Sequence, residues 1–149
     1  MVDVVDRQTR SRMMSGIKGR DTQPELKIRK ALFNKGFRYK LHDKKLPGKP
    51  DLVFPKYHSV IFIHGCFWHC HKCHLFKWPS TRPGFWRKKI SKNKEVDKRN
   101  YKQLKKEGWY ILTIWECAIK GRKNKPLDNI IYSTTRWLET GKKDKVIKG

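Results

Sequence analysis

Four side chains with strong affinity for metals frame this sequence. Cys66, His71 and Cys73 stand in the pattern Cys66-x4-His71-x-Cys73, and Cys117 lies further along. Three thiolates and one imidazole suit a tetrahedral zinc ion, and a closed set of four leaves no position for water. The pattern therefore points to a structural ion that pins a loop too poor in apolar residues to order itself. Cys70 and His74 stand in the same loop as competing ligands, and spacing alone excludes neither. The chain begins MVDVVDRQTR, which is polar and charged, so no secretory signal is expected. In the reducing interior of a cell, four cysteines argue for metal or catalysis over disulfides.

A second group is made of acids and histidines. Asp51 follows Pro50 and opens an apolar segment in a chain with few acids. Mg2+ takes hard oxygen ligands, keeps several waters and commonly binds through one or two carboxylates plus phosphate. Asp51 could hold such an ion against a scissile phosphate, polarising it and steadying the leaving oxygen. His64 and His69 stand five residues apart, and either could take a proton from an attacking water near neutral pH. Each is equally readable as a satisfied polar group, and His69 also as a further zinc candidate. Glu25 is explained by a capping box that starts at Thr22. Asp97 falls on the apolar stripe of a long helix, with Ile90, Asn93, Tyr101 and Leu104. A buried carboxylate there needs a partner. That partner is either a Lys or Arg, or a histidine or water that it orients for catalysis.

Phe67, Trp68, Trp78, Phe85 and Trp86 crowd in and beside the Cys/His loop. Rigid rings on a basic surface can stack on bases or wedge between base steps, and unstacking costs least at a mismatched pair. The competing reading is a small local core over the metal, which Trp78 and Phe85 would suit. Charge favours a polyanionic partner. Lys plus Arg number 37 against 13 Asp plus Glu, for a formal net charge of +24 over 149 residues. A field of that size holds nucleic acid through phosphate contacts and counterion release. Arg10, Arg12, Met14, Lys18 and Arg20 in the N-terminal segment, with Lys88 and Lys89 on the long helix, are the candidate DNA-binding residues. No apolar run approaches the roughly 20 residues of a membrane span, and no membrane partner is expected.

These groups must be positioned by a small α/β domain. The length suits one domain with one core. Thr22-Gln-Pro-Glu25 caps a helix over about 24–34 that Gly36 closes. Strands are expected from the Phe37, Tyr39, Leu41 alternation, over 51–54 and over 59–64, the last apolar enough to be central. A basic helix spans roughly 84–106, a strand 110–115, and Pro126 opens a last helix with Leu127, Ile130, Ile131 and Thr134 facing the core. The order predicts an α/β sandwich around a small mixed sheet flanked by helices. Residues 1–20 read as a basic arm that grips DNA, 21–140 as the folded domain, and 141–149 as a basic tail.

Taken together, several strings identify a resemblance. Thr9-Arg-Ser11, Arg20-Asp-Thr22, Leu46-Pro-Gly48 with Pro50-Asp51, HGCFWHCHKC (His64–Cys73), Thr81-Arg82 with Phe85-Trp86, and Trp115-Glu-Cys-Ala118 resemble the very short patch repair (Vsr) endonucleases, over about residues 3–137. The resemblance implies a restriction-endonuclease-like fold. It also implies a strand-specific, Mg2+-dependent nick 5′ of the T in T·G mismatches, which arise where 5-methylcytosine deaminates. It makes Asp51 a Mg2+ ligand, with the backbone carbonyl of Ile63 as another. His69 becomes the general base, with Glu25, His64 and Asp97 in support. It assigns structural Zn2+ to Cys66, His71, Cys73 and Cys117, and DNA intercalation to Phe67, Trp68 and Trp86. Its implied partners are double-stranded DNA carrying the mismatch, a companion cytosine-5 DNA methyltransferase, and mismatch-repair proteins as helpers. It implies a workplace in the bacterial cytoplasm, associated with the nucleoid, and the wedge and single small domain favour a monomer acting on one strand. Two departures stand out. The wider nuclease superfamily follows its Asp with (Asp/Glu)-x-Lys, whereas Ile61-Phe-Ile-His64 here supplies neither, in keeping with the Vsr branch. Cys70 also stands where the branch commonly has histidine. Two other readings compete: a zinc module that binds nucleic acid without cutting it, and a dimeric restriction enzyme or junction resolvase of the same fold.

Overall fold

Thr22 accepts a hydrogen bond from the Glu25 N–H at 3.4 Å and caps helix α1, Gln23–Asn34, with Pro24 in its first turn. Ile28 and Leu32 on this helix are fully buried. The computed structural model describes residues 22–71, 73, 76–120, 124–141 and 143–149. The proposed DNA-gripping residues Arg10, Arg12, Met14, Lys18 and Arg20, and the competing ligand His74, lie outside the described residues.

Helix α1 ends in a Schellman turn: Phe37 N–H bonds Leu32 C=O, Gly36 N–H bonds Phe33 C=O, and Gly36 takes φ +94. That turn draws Phe37 into the core, so the expected strand over 37–41 shortens to β1, Lys40–Leu41. β2 (Leu52–Phe54) and β3 (Ser59–His64) follow, joined by a 3-10 turn at Pro55–Tyr57. Helix α2, Pro83–Lys106, crosses to β4, Tyr110–Trp115. It ends as α1 does, with Trp109 N–H on Leu104 C=O and Gly108 at φ +84. A short helix α3, Glu116–Ile119, leads to α4, Leu127–Thr140, and then to β5, Lys145–Ile147.

The sheet has the order β1-β2-β3-β4-β5. Its first three strands form an antiparallel meander, whereas β3–β4 and β4–β5 are parallel. It is therefore a mixed sheet flanked by helices, as expected. Ile61, Leu112 and Ile114 share one cluster with Ile28 and Leu32 of α1 and Ile130 and Leu138 of α4. Val60, Phe62 and Ile111 share the other with Leu104 of α2. Both faces of β3 and β4 are thus covered, which explains why their sequences are nearly continuous apolar runs. Leu127, expected to face the core, is 37% exposed at the start of α4. Among the described residues, no helix is long and apolar enough to cross a membrane.

β5 lies in the segment that the sequence presents as a basic tail. Asp144 fastens it: its carboxylate accepts from Ile111 N–H at 2.9 Å, from Lys105 Nζ at 3.0 Å and from the Tyr101 hydroxyl. Burial pushes this carboxyl up, but the three donors outweigh it and its pKa falls below 3.8. Burial and the adjacent carboxylate push Tyr101 up to about 12. The Asp144 contribution to stability is therefore present above about pH 4 and lost as the medium becomes more acidic. Replacing Asp144 with Ala strands a buried N–H, and we expect it to cost about 2 kcal/mol in urea unfolding at pH 7. A change within about 0.5 kcal/mol, the usual range for an ordinary surface substitution, would show that the strand is held by its ladder alone.

Candidate active site and metal centre

The C-terminal ends of β3 and β4 bring the candidate residues together. Asp51, immediately before β2, is fixed by the neighbouring strand: Ile63 N–H donates to its Oδ2 at 2.7 Å. Burial raises its pKa from 3.8 to about 7; the Ile63 bond pulls it down, and the Glu25 carboxylate pushes it up again. Although the Glu25 N–H meets Thr22, its side chain is buried and bonds Arg29 Nη1 at 2.8 Å and His42 Nε2 at 3.0 Å. Glu25, His42 and Asp51 bring ligand atoms within 4.8 Å of one another. A cavity of about 450 Å³ opens here, lined by Asp51, Ile63, His64 and His69 with the cations Lys44 and Lys49 at its rim.

His64 and His69 stack face to face, with ring centroids 3.7 Å apart and planes 4° apart. His69 Nδ1 lies 2.5 Å from Asp97 Oδ2. A carboxylate accepts, so Nδ1–H donates to Asp97, and in a neutral ring Nε2 is the nitrogen left to accept. Burial lowers the His64 pKa well below 6.5, and His69 beside it lowers it further. His64 is thus held as a neutral ring that supports its neighbour. For Asp97, the structure selects the histidine partner over a Lys or Arg. His42 was not singled out by sequence; it stands just past the Tyr39–Leu41 alternation, and the chain has only six histidines to inspect.

Cys66 and Cys117 converge through strand register. β3 pairs His64 with Trp115 of β4, so the residues two steps beyond each strand end fall side by side. The loop after β3 then turns back on itself: His69 N–H bonds Gly65 C=O and His71 N–H bonds Cys66 C=O. Cys66, His71, Cys73 and Cys117 bring their donor atoms within 4.8 Å of one another. His71 Nδ1 is 3.5 Å from Cys66 Sγ and 3.6 Å from Cys117 Sγ. With metal–sulfur bonds of about 2.3 Å and metal–nitrogen bonds of about 2.0–2.1 Å, the S–N edge of a tetrahedron is about 3.5 Å. The four donors therefore fit one tetrahedral ion. Burial drives the Cys66 pKa upward, so an ion binding there must displace protons. Burial, then the Lys148 charge, lower that of His71, which keeps the imidazole neutral as a ligand requires. Trp115 stacks on the His71 ring at 4.2 Å, and Gly149 N–H points at Cys117 Sγ at 3.3 Å. Cys70 is not among the four; it takes a left-handed φ of 56° in the turn between them.

The same loop carries Phe67 and Trp68, and helix α2 carries Phe85 and Trp86. Phe67, Trp68 and Trp86 form a mutual edge-to-face triad with centroids 5.1–5.8 Å apart, all half-buried. Phe76 and Trp78 extend this packing, and Asn93 of α2 holds the Trp68 carbonyl at 3.2 Å. Arg82 lies over the exposed Phe85 ring and Arg87 over Trp78. Lys88 and Lys89 are exposed on the same end of α2.

The family described as DNA mismatch endonuclease Vsr matches residues 2–75 through its family model. The DNA mismatch endonuclease Vsr of Escherichia coli (strain K12) is 44% identical over 138 residues, covering 93% of this chain and 88% of its own length. The type II nicking enzyme V.NmeAIP of Neisseria meningitidis is 43% identical over 122 residues, with 82% and 87% covered. V.XorIIP of Xanthomonas oryzae pv. oryzae, also a type II nicking enzyme, is 39% identical over 119 residues, with 80% and 88% covered.

Proposed function

The chain belongs to the DNA mismatch endonuclease Vsr family, and from that premise we propose that it is an endodeoxyribonuclease that nicks one strand 5′ of the T in a T·G mismatch. The observation that carries this reading is a cavity lined by both Asp51 and His69, with Asp97 behind His69 at Nδ1 and the rings of the Cys/His loop and of α2 nearby. The mixed sheet between α1, α4 and α2 supports a restriction-endonuclease-like fold.

Asp51 and the Ile63 carbonyl would hold Mg2+, whose charge, once bound, polarises the scissile phosphate and steadies the leaving oxygen. Two oxygen donors at a wet cavity suit an ion that retains most of its water. His69 takes the proton of the attacking water at Nε2, and Asp97 steadies the positive ring that results. His64 keeps the His69 plane fixed, and Glu25 holds its place beside Asp51 through His42. The products are a 5′-phosphate and a 3′-hydroxyl. Cys66, His71, Cys73 and Cys117 would hold Zn2+, which suits three thiolates and an imidazole and is closed to substrate. Phe67, Trp68 and Trp86 would enter the duplex beside the mispair, where stacking is weakest.

One site and one wedge per chain suit a monomer acting on one strand. The substrate implies a companion cytosine-5 DNA methyltransferase and a workplace on cytoplasmic, nucleoid DNA, with mismatch-repair proteins as helpers. The test is a duplex labelled separately on each strand, with T·G or T·A at one position, in Mg2+ or EDTA. We expect a nick on the T strand of the T·G duplex alone, and none in EDTA. Equal cutting of the T·A duplex, or cutting of both strands, would refute the reading.

A further inference from the structure

The constellation around Asp51 contains a donor of a different kind from the oxygens a magnesium site calls for. His42 Nε2 lies 2.9 Å from Glu25 Oε2 and 3.8 Å from Asp51 Oδ1. Metal–ligand bonds of about 2.1 Å at right angles give octahedral edges of about 3.0 Å, and opposite ligands lie about 4.2 Å apart. The His42–Glu25 spacing matches an edge, and the His42–Asp51 spacing falls between an edge and a diagonal. The three ligand atoms lie within 4.8 Å of one another, and all three side chains are largely buried. An ion there would take the place of the proton that His42 Nε2 shares with Glu25. The placement is built into the backbone. His42 sits at φ 45, a left-handed conformation that side chains rarely adopt, and its N–H bonds the Asp51 carbonyl at 3.2 Å. A strained position tied to the residue beside it is a common mark of a functional site. Arg29, at 2.8 Å, already offsets the charge on Glu25, so an imidazole is not needed there for neutralisation.

We propose that His42 is a direct ligand of the ion held by Asp51, making this an imidazole–carboxylate site that prefers first-row transition dications such as Mn2+ over Mg2+. The proposal rests on the reading of Asp51 as a metal ligand. Imidazole nitrogen adds affinity for transition metals, whereas Mg2+ favours oxygen and replaces a lost ligand with water at little cost. Mn2+ is the suitable probe because it stands lowest in the affinity order and does not displace the ion from a thiolate cluster.

The experiment uses the full chain with its Cys/His cluster loaded. Mn2+ affinity is read from the free-ion electron paramagnetic resonance signal, Mg2+ affinity by competition, and direct nitrogen coordination from 14N modulation of the bound Mn2+ echo. Wild type should show directly coordinated nitrogen. His42→Gln keeps a hydrogen-bond donor but removes the imidazole. It should lose that modulation and bind Mn2+ about tenfold or more weakly, while Mg2+ affinity changes less than about threefold. Absence of nitrogen modulation in wild type overturns the proposal without recourse to any variant. So does its persistence in His42→Gln, or an equal fall in affinity for both ions. Asp51→Asn separates the two levels of inference. If it binds Mn2+ as wild type does, the Asp51 reading falls and this proposal with it; if it loses Mn2+ while His42→Gln keeps its nitrogen modulation, only the His42 assignment falls.

Discussion

Asp51→Asn is expected to lower the rate of nicking by at least about 10³-fold, equivalent to roughly 4 kcal/mol of barrier, while affinity for the mismatched duplex in EDTA stays within about twofold. The substitution keeps the shape and the Ile63 contact but removes the charge that would hold the ion. Binding should survive because it rests on the basic surface and the rings, not on this carboxyl. The pH dependence follows from the raised pKa of about 7. An ion must displace the Asp51 proton, so apparent Mg2+ affinity should fall about tenfold for each pH unit below 7. In the metal-free protein the folded state holds this proton more tightly than the unfolded chain does. The Asp51 contribution to stability is therefore full below about pH 4 and lost as pH rises through about 7. Asp51→Asn removes that dependence, so its unfolding free energy should fall less between pH 5 and pH 8. Single-turnover nicking, calorimetric titration with Mg2+ and urea unfolding at the two pH values check the three statements. Nicking within tenfold of wild type would remove Asp51 from the chemistry.

What the sequence makes legible is local chemistry and local periodicity. Thr22, Pro24, Gly36 and Gly108 mark helix ends because the groups they satisfy lie within a turn of them. β3 and β4 announce themselves because both of their faces are buried. β5 does not: Lys145-Val-Ile147 is short and surrounded by lysines, and it becomes a strand through its register with Leu112–Ile114 and through the bonds that the adjacent Asp144 makes to the distant Tyr101, Lys105 and Ile111. The same division holds in the site. The residue types in the Cys/His loop narrow the metal ligands to a few, but choosing His71 and Cys73 over Cys70 needs the turn geometry after Gly65. Asp97 was readable as a carboxylate that needed a partner; which partner depended on how the loop folds over α2. His42 has no periodicity to mark it, and only the fold brings its ring against both Glu25 and Asp51.

Cys117→Ser is expected to release the bound ion and to abolish nicking, yet leave the sheet folded. A structural zinc site can contribute about 10–16 kcal/mol of apparent folding free energy in small peptides, as much as the whole stability of a typical domain. Here that energy is concentrated in one segment. The two core clusters are built from the four helices and the strands, Ala118 and Ile119 of α3 included, and among their residues are none of the four ligands. Loss of the ion should therefore appear as local opening. Amides over residues 65–82 should exchange at least about 10³-fold faster, while those of β3 and β4 remain protected. Cys70→Ser, outside the four-donor group, should keep one equivalent of zinc and its activity. His69 lies between Cys66 and His71, and Phe67 and Trp68 lie between Cys66 and His69. One ion thus sets the position of the base and of the wedge together, and their loss should be coupled: mismatch affinity and nicking should fall in the same variant. If Cys117→Ser retained zinc, or kept mismatch affinity after losing it, the loop would have to be ordered by its own ring packing and α2, and the ion would be incidental.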